Sequence, residues 1–472
     1  MNTPICDFVN EYCRKGSIRL HMPGHKGKAV LGPEALDLTE ISGADVLYEN
    51  GSISDRPGII AESEANAAAI FGSAKTLYST EGSSLCIRAM LYLVKMFALD
   101  HRSAEAESGK TKAEKGNAGR KIRIAAGRNA HKTFITAAAL LDLDVEWLYS
   151  EKPGLTACEL SPEQIESCIL KTQPDAVYIT SPDYLGNIAD IAGIAAVCHR
   201  HGCVLLVDNA HGAYLKFMPG EDGRSLHPLD RGADLCCDSA HKTLPVLTGG
   251  AYLHISESVP DLFRAQTEHA MKMFASTSPS YLIMQSLDKV NALIAKGLDR
   301  EFRETAGRTA ILKEKLCSAG YALAGTEPLK ITLDACAFGY RGDELAAILE
   351  EQGIYCEFYD PEYLVLMVSP FNTERDLAGI EDLLANLDRR ETVPKRAPKA
   401  EPGKREISLH DAMLCPGEEV PIGEAEGRIL ASADVACPPA IPIAVCGERI
   451  SRSAVSCFRY YGIDTVNVIK EK

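Results

Sequence analysis

The sequence predicts an α/β fold: a largely parallel sheet covered by helices, then a smaller α+β domain and a short terminal unit. Three observations lead there. Short apolar runs alternate with stretches of helical periodicity through the middle of the chain. That alternation changes character after residue 300. A proline- and charge-rich stretch, RRETVPKRAPKAEPGKRE (389–406), separates the last part from the rest. At 472 residues and 46 % hydrophobic, the chain is long enough for more than one core.

Taken in order, residues 1–45 form an N-terminal segment and residues 46–295 the large domain. Within the large domain KIRIAA, AVYIT, VLLVD and ADLCC read as strands buried on both faces. SPEQIESCILKT and IAGIAAVCHRHG read as helices between them, the second closing at a glycine. Strand–helix alternation implies parallel strands, and ligands of such sheets sit at the strands' carboxyl ends. The polar stretch 103–121 reads as an exposed loop. Residues 296–390 form the small α+β domain, 391–406 a linker and 407–472 the terminal unit.

Composition excludes several classes. No run reaches the length of a membrane span, and MNTPICDFVNEYCRKG lacks a secretory pattern, which points to a cytoplasmic protein with no membrane partner. The 16 cysteines are scattered with no C-x-x-C pair, and the adjacent Cys236 and Cys237 cannot both face one ion, so reduced thiols and no metal are expected. A net charge of −15 argues against nucleic acid and is compatible with cationic small molecules.

The strand ends gather an unusual set of residues. SPDYLGN follows AVYIT, Asp208 in DNAHGAY follows VLLV, Lys242 in DSAHK follows ADLCC, and KIRIAAG leads to His131 in RNAHKT. Upstream, LYSTEGSSLCIRAM places Gly82, Ser83 and Ser84 at the start of a helix near Leu85, where free N–H groups and hydroxyls suit an anion. A lysine, a carboxylate, a histidine and an anion cradle match the parts that hold pyridoxal phosphate. Lys242 would join the cofactor's aldehyde, Asp208 would pair with the pyridine nitrogen, His131 would stack on the ring, and small Ala210 would admit its other face. Singly, each has a plainer reading: Lys242 as a surface charge, Asp208, Ser83 and Ser84 as helix caps, His131 as a loop hydrogen-bonder.

Together LHMPGHKG (20–27), STEGSS, RNAHK, VDNAHGA, DSAHKTLPVLTGGAYLH, STSPSYLIMQSLD and CPPAIPIAVCGERI resemble the bacterial ornithine/lysine/arginine decarboxylases, in their short form without an N-terminal wing domain. The resemblance implies fold type I, the aspartate-aminotransferase fold of pyridoxal-phosphate enzymes, with a mainly parallel seven-stranded sheet. It implies that Ser239 and His241 help Ser83 and Ser84 hold the phosphate, and that Ser276 reaches the phosphate of a neighbouring subunit, making the active site a property of a homodimer. It further implies decarboxylation of a basic amino acid, arginine before lysine or ornithine, in polyamine supply. Lys242 or His211 would return the proton, His211 being equally readable as a ring-edge packing residue.

Three departures stand out: Glu81 where the family commonly has asparagine, LTGG in place of a glutamine-containing stretch, and asparagine in VDNAHG where glutamate is common. Glu81 should weaken phosphate binding unless its side chain is paired or turned away. The acceptor of the substrate's distal cation is open among Asp45, Glu49 and Glu448. Aminotransferase or carbon–sulfur lyase chemistry on the same fold, and a non-catalytic regulatory relative, are the alternatives.

Overall fold

A computed structural model describes residues 14–28, 58–107, 120–150, 157–398, 401–432, 436–437 and 441–471. Asp45, Glu49 and most of the 103–121 stretch lie outside them. The large sheet takes β2 (Lys75–Ser79), β3 (Arg123–Gly127), β4 (Asp144–Leu148), β5 (Ala176–Thr180), β6 (Val204–Asp208), β7 (Leu235–Asp238) and β8 (Ala251–Ile255), in the order β2-β8-β7-β6-β5-β3-β4. The run from β7 to β4 is parallel, and β8 is antiparallel to both of its neighbours. Register decides what shares an edge. Thr180 pairs with Asp208 and Asp208 with Cys237, so β5, β6 and β7 finish together.

Helices cover both faces because the central strands are apolar on both. α1 (Ile59–Phe71) lies on one side; α2 (Ser83–Glu107) and α3 (Lys132–Leu140) lie on the other; α4 (Pro162–Thr172) and α5 (Ile191–Arg200) share the α1 side. α4 starts on a capping box, with Ser161 accepting the Gln164 N–H, and α5 is followed by Gly202 in the left-handed region. α2 begins at Ser83, two residues before the expected start, so both serines sit in its first turn. It also runs to Glu107, so the expected loop at 103–121 begins too early: Ser-Ala-Glu-Ala-Glu is helix-forming and simply extends the helix. α6 (Ala240–Thr243) carries Lys242, and α7 (Asp261–Lys272) and α8 (Tyr281–Leu293) follow β8.

The small domain is an antiparallel sheet, β12-β13-β10-β9, of β9 (Ala322–Ala324), β10 (Lys330–Asp334), β12 (Phe358–Tyr359) and β13 (Tyr363–Met367), packed on α9 (Asp299–Ser318) and α10 (Glu374–Ala385). From the chain's start, β1 (Ile18–Leu20) joins this region by pairing in parallel with β11 (Ile354–Cys356). The expected linker is tied down where it is described: Val393 N–H donates to Cys336 O (3.0 Å) and Ala397 N–H to a Glu362 carboxylate oxygen (2.8 Å). The terminal unit has its own small core around Phe458, Val466 and Val468, while Leu409, Ala412, Val445 and Cys446 enter the large domain's core. Among the described residues no helix is long and apolar enough to cross a membrane.

Candidate active site

The parallel strands deliver their last residues to one edge, where Asp208 ends β6 and Lys242 follows β7 by four residues. Asp208 is 3 % exposed and held on both oxygens, with acceptor capacity left on each: Tyr178 Oη donates to Oδ2 (3.0 Å), and the Ala210 N–H donates to Oδ1 (3.2 Å). Lys242 Nζ lies 3.1 Å from His211 Nε2. Burial lowers the Lys242 pKa, with Asp208 and then Glu357 opposing the shift. Burial also takes His211 well below its ordinary value, and the neighbouring Lys242 adds to that. His211 is therefore a neutral ring at neutral pH, and its Nδ1 is buried with no hydrogen-bond partner.

His131 caps α3, its Nδ1 accepting the Thr133 N–H (3.2 Å), so the ring's proton resides on Nε2. Burial lowers its pKa, Asp208 opposes and Lys242 contributes, which places this ring within the field of both groups. A chain of hydroxyls adjoins it. Ser239 Oγ donates to Ser83 Oγ (2.9 Å); Ser84 Oγ lies 3.1 Å from Thr133 Oγ1, itself 3.0 Å from His131 Nδ1. These hydroxyls flank the first turn of the 25-residue α2, after Gly82 at φ +72°. His241 Nδ1 donates to Gly250 O (2.9 Å), and burial brings its pKa to about 4.

The structure thus brings Lys242, His211, Asp208 and His131 together at one sheet edge, with Ser83, Ser84 and Ser239 beside them, and His241 and Ala210 flanking Lys242 and Asp208 in the chain. Ser276 stands apart from the hydroxyls: it is exposed, and its N–H donates to Glu81 Oε1 (2.6 Å). Glu81 is accordingly paired. Glu448 is buried in the terminal unit. Its Oε2 accepts the Val445 N–H (3.1 Å), and burial raises its pKa against Arg128 and Arg405.

Several neighbours escape a motif reading. Tyr178 is a hydroxyl within a mostly apolar strand that ends on a second, Thr180, a signal AVYIT carries but does not explain. Thr133 links cap to cradle. Tyr184, in SPDYLGN, sets its ring edge against His211 with centroids 4.8 Å apart. Behind the site His227, Asp238 and His254, all fully buried, place ligand-type atoms within 4.8 Å of one another. Both histidine Nε2 atoms contact Asp238 Oδ2, at 3.0 and 3.3 Å, and the Asn209 amide donates to Oδ1 (2.7 Å). That cluster has its donors and acceptors matched internally.

Two family models match the chain: Orn/Lys/Arg decarboxylase, major domain, over residues 117–332, and Orn/Lys/Arg decarboxylase, C-terminal domain, over residues 407–465. The chain is 29 % identical to the uncharacterised protein YaaO of Bacillus subtilis, covering 96 % of this chain and 93 % of that one. It is 26 % identical to the arginine decarboxylase of Halalkalibacterium halodurans, over 97 % and 93 %. Lysine decarboxylase A from Pseudomonas aeruginosa shares the fold, with a TM-score of 0.69 at 18 % identity over 99 % of this chain and 82 % of that one.

Proposed function

Because the chain belongs to the Orn/Lys/Arg decarboxylase family, we propose that it releases the α-carboxylate of a basic amino acid as carbon dioxide, using pyridoxal phosphate, and that Lys242 is the attachment point. One observation carries this reading: a half-buried lysine and a buried carboxylate end adjacent parallel strands, beside a hydroxyl-lined helix start. The donor set fits the cofactor group by group. Asp208 is held by Tyr178 and faces a histidine whose pKa burial lowers, a setting that fits a protonated ring nitrogen. Ser83, Ser84 and Ser239 with the α2 N-terminus fit a phosphate. Thr180 Oγ1, Asn209 Oδ1, His211 Nδ1 and Thr243 Oγ1, buried without partners at or near the same edge, are the kind of orphaned atoms a ligand satisfies.

Bound there, pyridoxal phosphate supplies an electron sink for the pair released when the carboxylate leaves. The chain's residues do the rest. Asp208 keeps a proton on the ring nitrogen. His131 supplies a flat neutral face. Lys242 Nζ, its basicity reduced by burial, exchanges protons with His211 Nε2 across 3.1 Å, so either atom is placed to return one to the substrate's α-carbon. The Tyr184 ring covers His211 on one side and would help exclude water from the carboxylate as it leaves. Ser276 completing a partner's site in a homodimer, arginine as first substrate and a place in polyamine supply belong to the same reading.

The test is direct. Purified protein with pyridoxal phosphate should be yellow, borohydride should fix the cofactor on Lys242, and one of arginine, lysine or ornithine should yield carbon dioxide and its amine. Transfer of the amino group to a keto acid instead would make it an aminotransferase. A protein that stays colourless would make it a non-catalytic relative.

A further inference from the structure

We infer that Glu357 receives the side-chain cation of the substrate, an inference that rests on the decarboxylase reading above. Glu357 lies between β11 and β12, half-buried, its backbone N–H donating to Val365 O (2.9 Å). Its Oε2 accepts the N–H of Met22 (2.8 Å), the first residue of Met-Pro-Gly-His-Lys-Gly. That stretch lies directly on the lysine-bearing segment. Gly24 N–H donates to His241 O (2.9 Å), and a Cβ at Gly24 would come within 2.4 Å of Thr243 O, an approach glycine alone permits.

A second, independent route leads to the same place. The ring of Phe358, the next residue, has its centroid 5.4 Å from Tyr184, which lies 4.8 Å from His211, which lies 3.1 Å from Lys242 Nζ. Backbone contacts on one side and edge-on ring contacts on the other therefore bracket Glu357 beside the reacting lysine, whose pKa its charge helps to raise.

Other carboxylates near this edge are committed elsewhere. Asp208 is held by Tyr178 and Ala210, Asp183 by Asn187, and Glu327 by Lys330 (2.8 Å) and Tyr214. Glu357 spends one oxygen on a backbone N–H, and the buried Lys26 ammonium within its field is itself held by His21 O (2.7 Å) and Met367 O (2.9 Å). A desolvated carboxylate facing an ammonium or guanidinium rewards a cationic side chain and rejects a neutral isostere.

The experiment uses the full chain with pyridoxal phosphate and compares wild type, Glu357→Gln and Glu357→Asp. The kcat/KM is measured for arginine, lysine and ornithine and for the neutral analogues citrulline and norleucine. Binding of the amines agmatine, cadaverine and putrescine is measured by calorimetry. Glutamine can still accept the Met22 N–H, so melting temperature and cofactor absorbance should hold. The Gln variant should lose at least ~30-fold in kcat/KM for the preferred cation, chiefly through KM, and change less than ~3-fold for the neutral analogue. The Asp variant, one methylene shorter, should shift preference towards the longer of two homologous substrates. Equal losses for cationic and neutral substrates, or unchanged amine binding in the Gln variant, would overturn the assignment. If wild type decarboxylates none of the three amino acids, the decarboxylase reading fails, and amine binding alone then decides for or against Glu357.

Discussion

Two clusters of the same residue types meet at the carboxyl edge of the large sheet, and only one is built to react. In the first, Asp238 takes both buried histidine Nε2 atoms on one oxygen and the Asn209 amide on the other. The remaining nitrogens are used too: His227 Nδ1 accepts the Leu229 N–H (3.4 Å), and His254 Nδ1 lies 2.8 Å from Thr76 Oγ1. Burial pushes the Asp238 carboxyl up, but the two histidines more than offset it and hold it well below the usual range. In the second cluster Asp208, His131, His211 and Lys242 leave His211 Nδ1 without a partner, and burial depresses the lysine and both histidines. Residue type does not separate framework from reactive site. Unspent hydrogen-bonding capacity beside half-buried groups does.

The comparison breaks most sharply at its two lysine-side members. Lys242→Ala should remove turnover by ~10⁴-fold or more and abolish borohydride fixation while leaving the melting temperature within a few degrees. An active alanine variant would move the reactive amine elsewhere. His211→Asn should lower kcat by ~10²- to 10⁴-fold if the ring exchanges protons with Lys242, and should alter the pH profile. A loss confined to stability would mark His211 as a packing residue.

For the closed cluster the signs reverse. Asp238→Asn leaves two fully buried imidazoles competing for one acceptor and should cost about 3–5 kcal/mol of stability by urea unfolding, with kcat per folded molecule nearly unchanged. A large fall in kcat at unchanged stability would merge the two clusters into one machine.

Glu64 sharpens the contrast as a carboxylate with neither a histidine cage nor a reactive neighbour. Burial raises its pKa to about 8 against the single Tyr78 N–H bond (2.9 Å). Folded protein therefore holds a proton that unfolded chain has released between about pH 4.5 and 8, so this group's contribution to stability is full below that window and lost as pH rises through it. Glu64→Gln should match wild type near pH 5 and become relatively more stable towards pH 9, as read from unfolding midpoints. An unchanging difference would show that Glu64 stays ionised when folded.

How much of this the sequence disclosed follows from which interactions are local. The strands, the helix cap at Ser161 and the order in which Asp208, Ser239 and Lys242 follow their strands are written in short-range pattern, so the parallel sheet and its edge were legible. Long-range partners were not. Nothing in AVYIT says that Tyr178 will meet a carboxylate thirty residues on, and nothing near YCEFYD says that Glu357 will take its bond from Met22, 335 residues away. The short stretch that carries α2 to Glu107 was hidden by its polarity, because a polar helix end and a polar loop share a composition. Likewise, His227 lies outside every quoted motif and His254 only closes one, and their shared hold on Asp238 became visible only when β7 and β8 paired.

The smallest expected effect concerns Glu81, two residues before the first cradle serine. A carboxylate there opposes phosphate binding, yet its Oε1 is engaged by the Ser276 N–H, and the side chain is exposed. Water and salt screen an exposed charge, so its repulsion of a bound phosphate is modest. Glu81→Gln keeps an acceptor for Ser276 and removes the charge. It should tighten cofactor binding by only about two- to five-fold in an absorbance titration at low salt, with the gain shrinking as ionic strength rises. A gain that persists at high salt would mean that Glu81 acts by position, through its hold on Ser276, and the site's anion cradle would then include that loop.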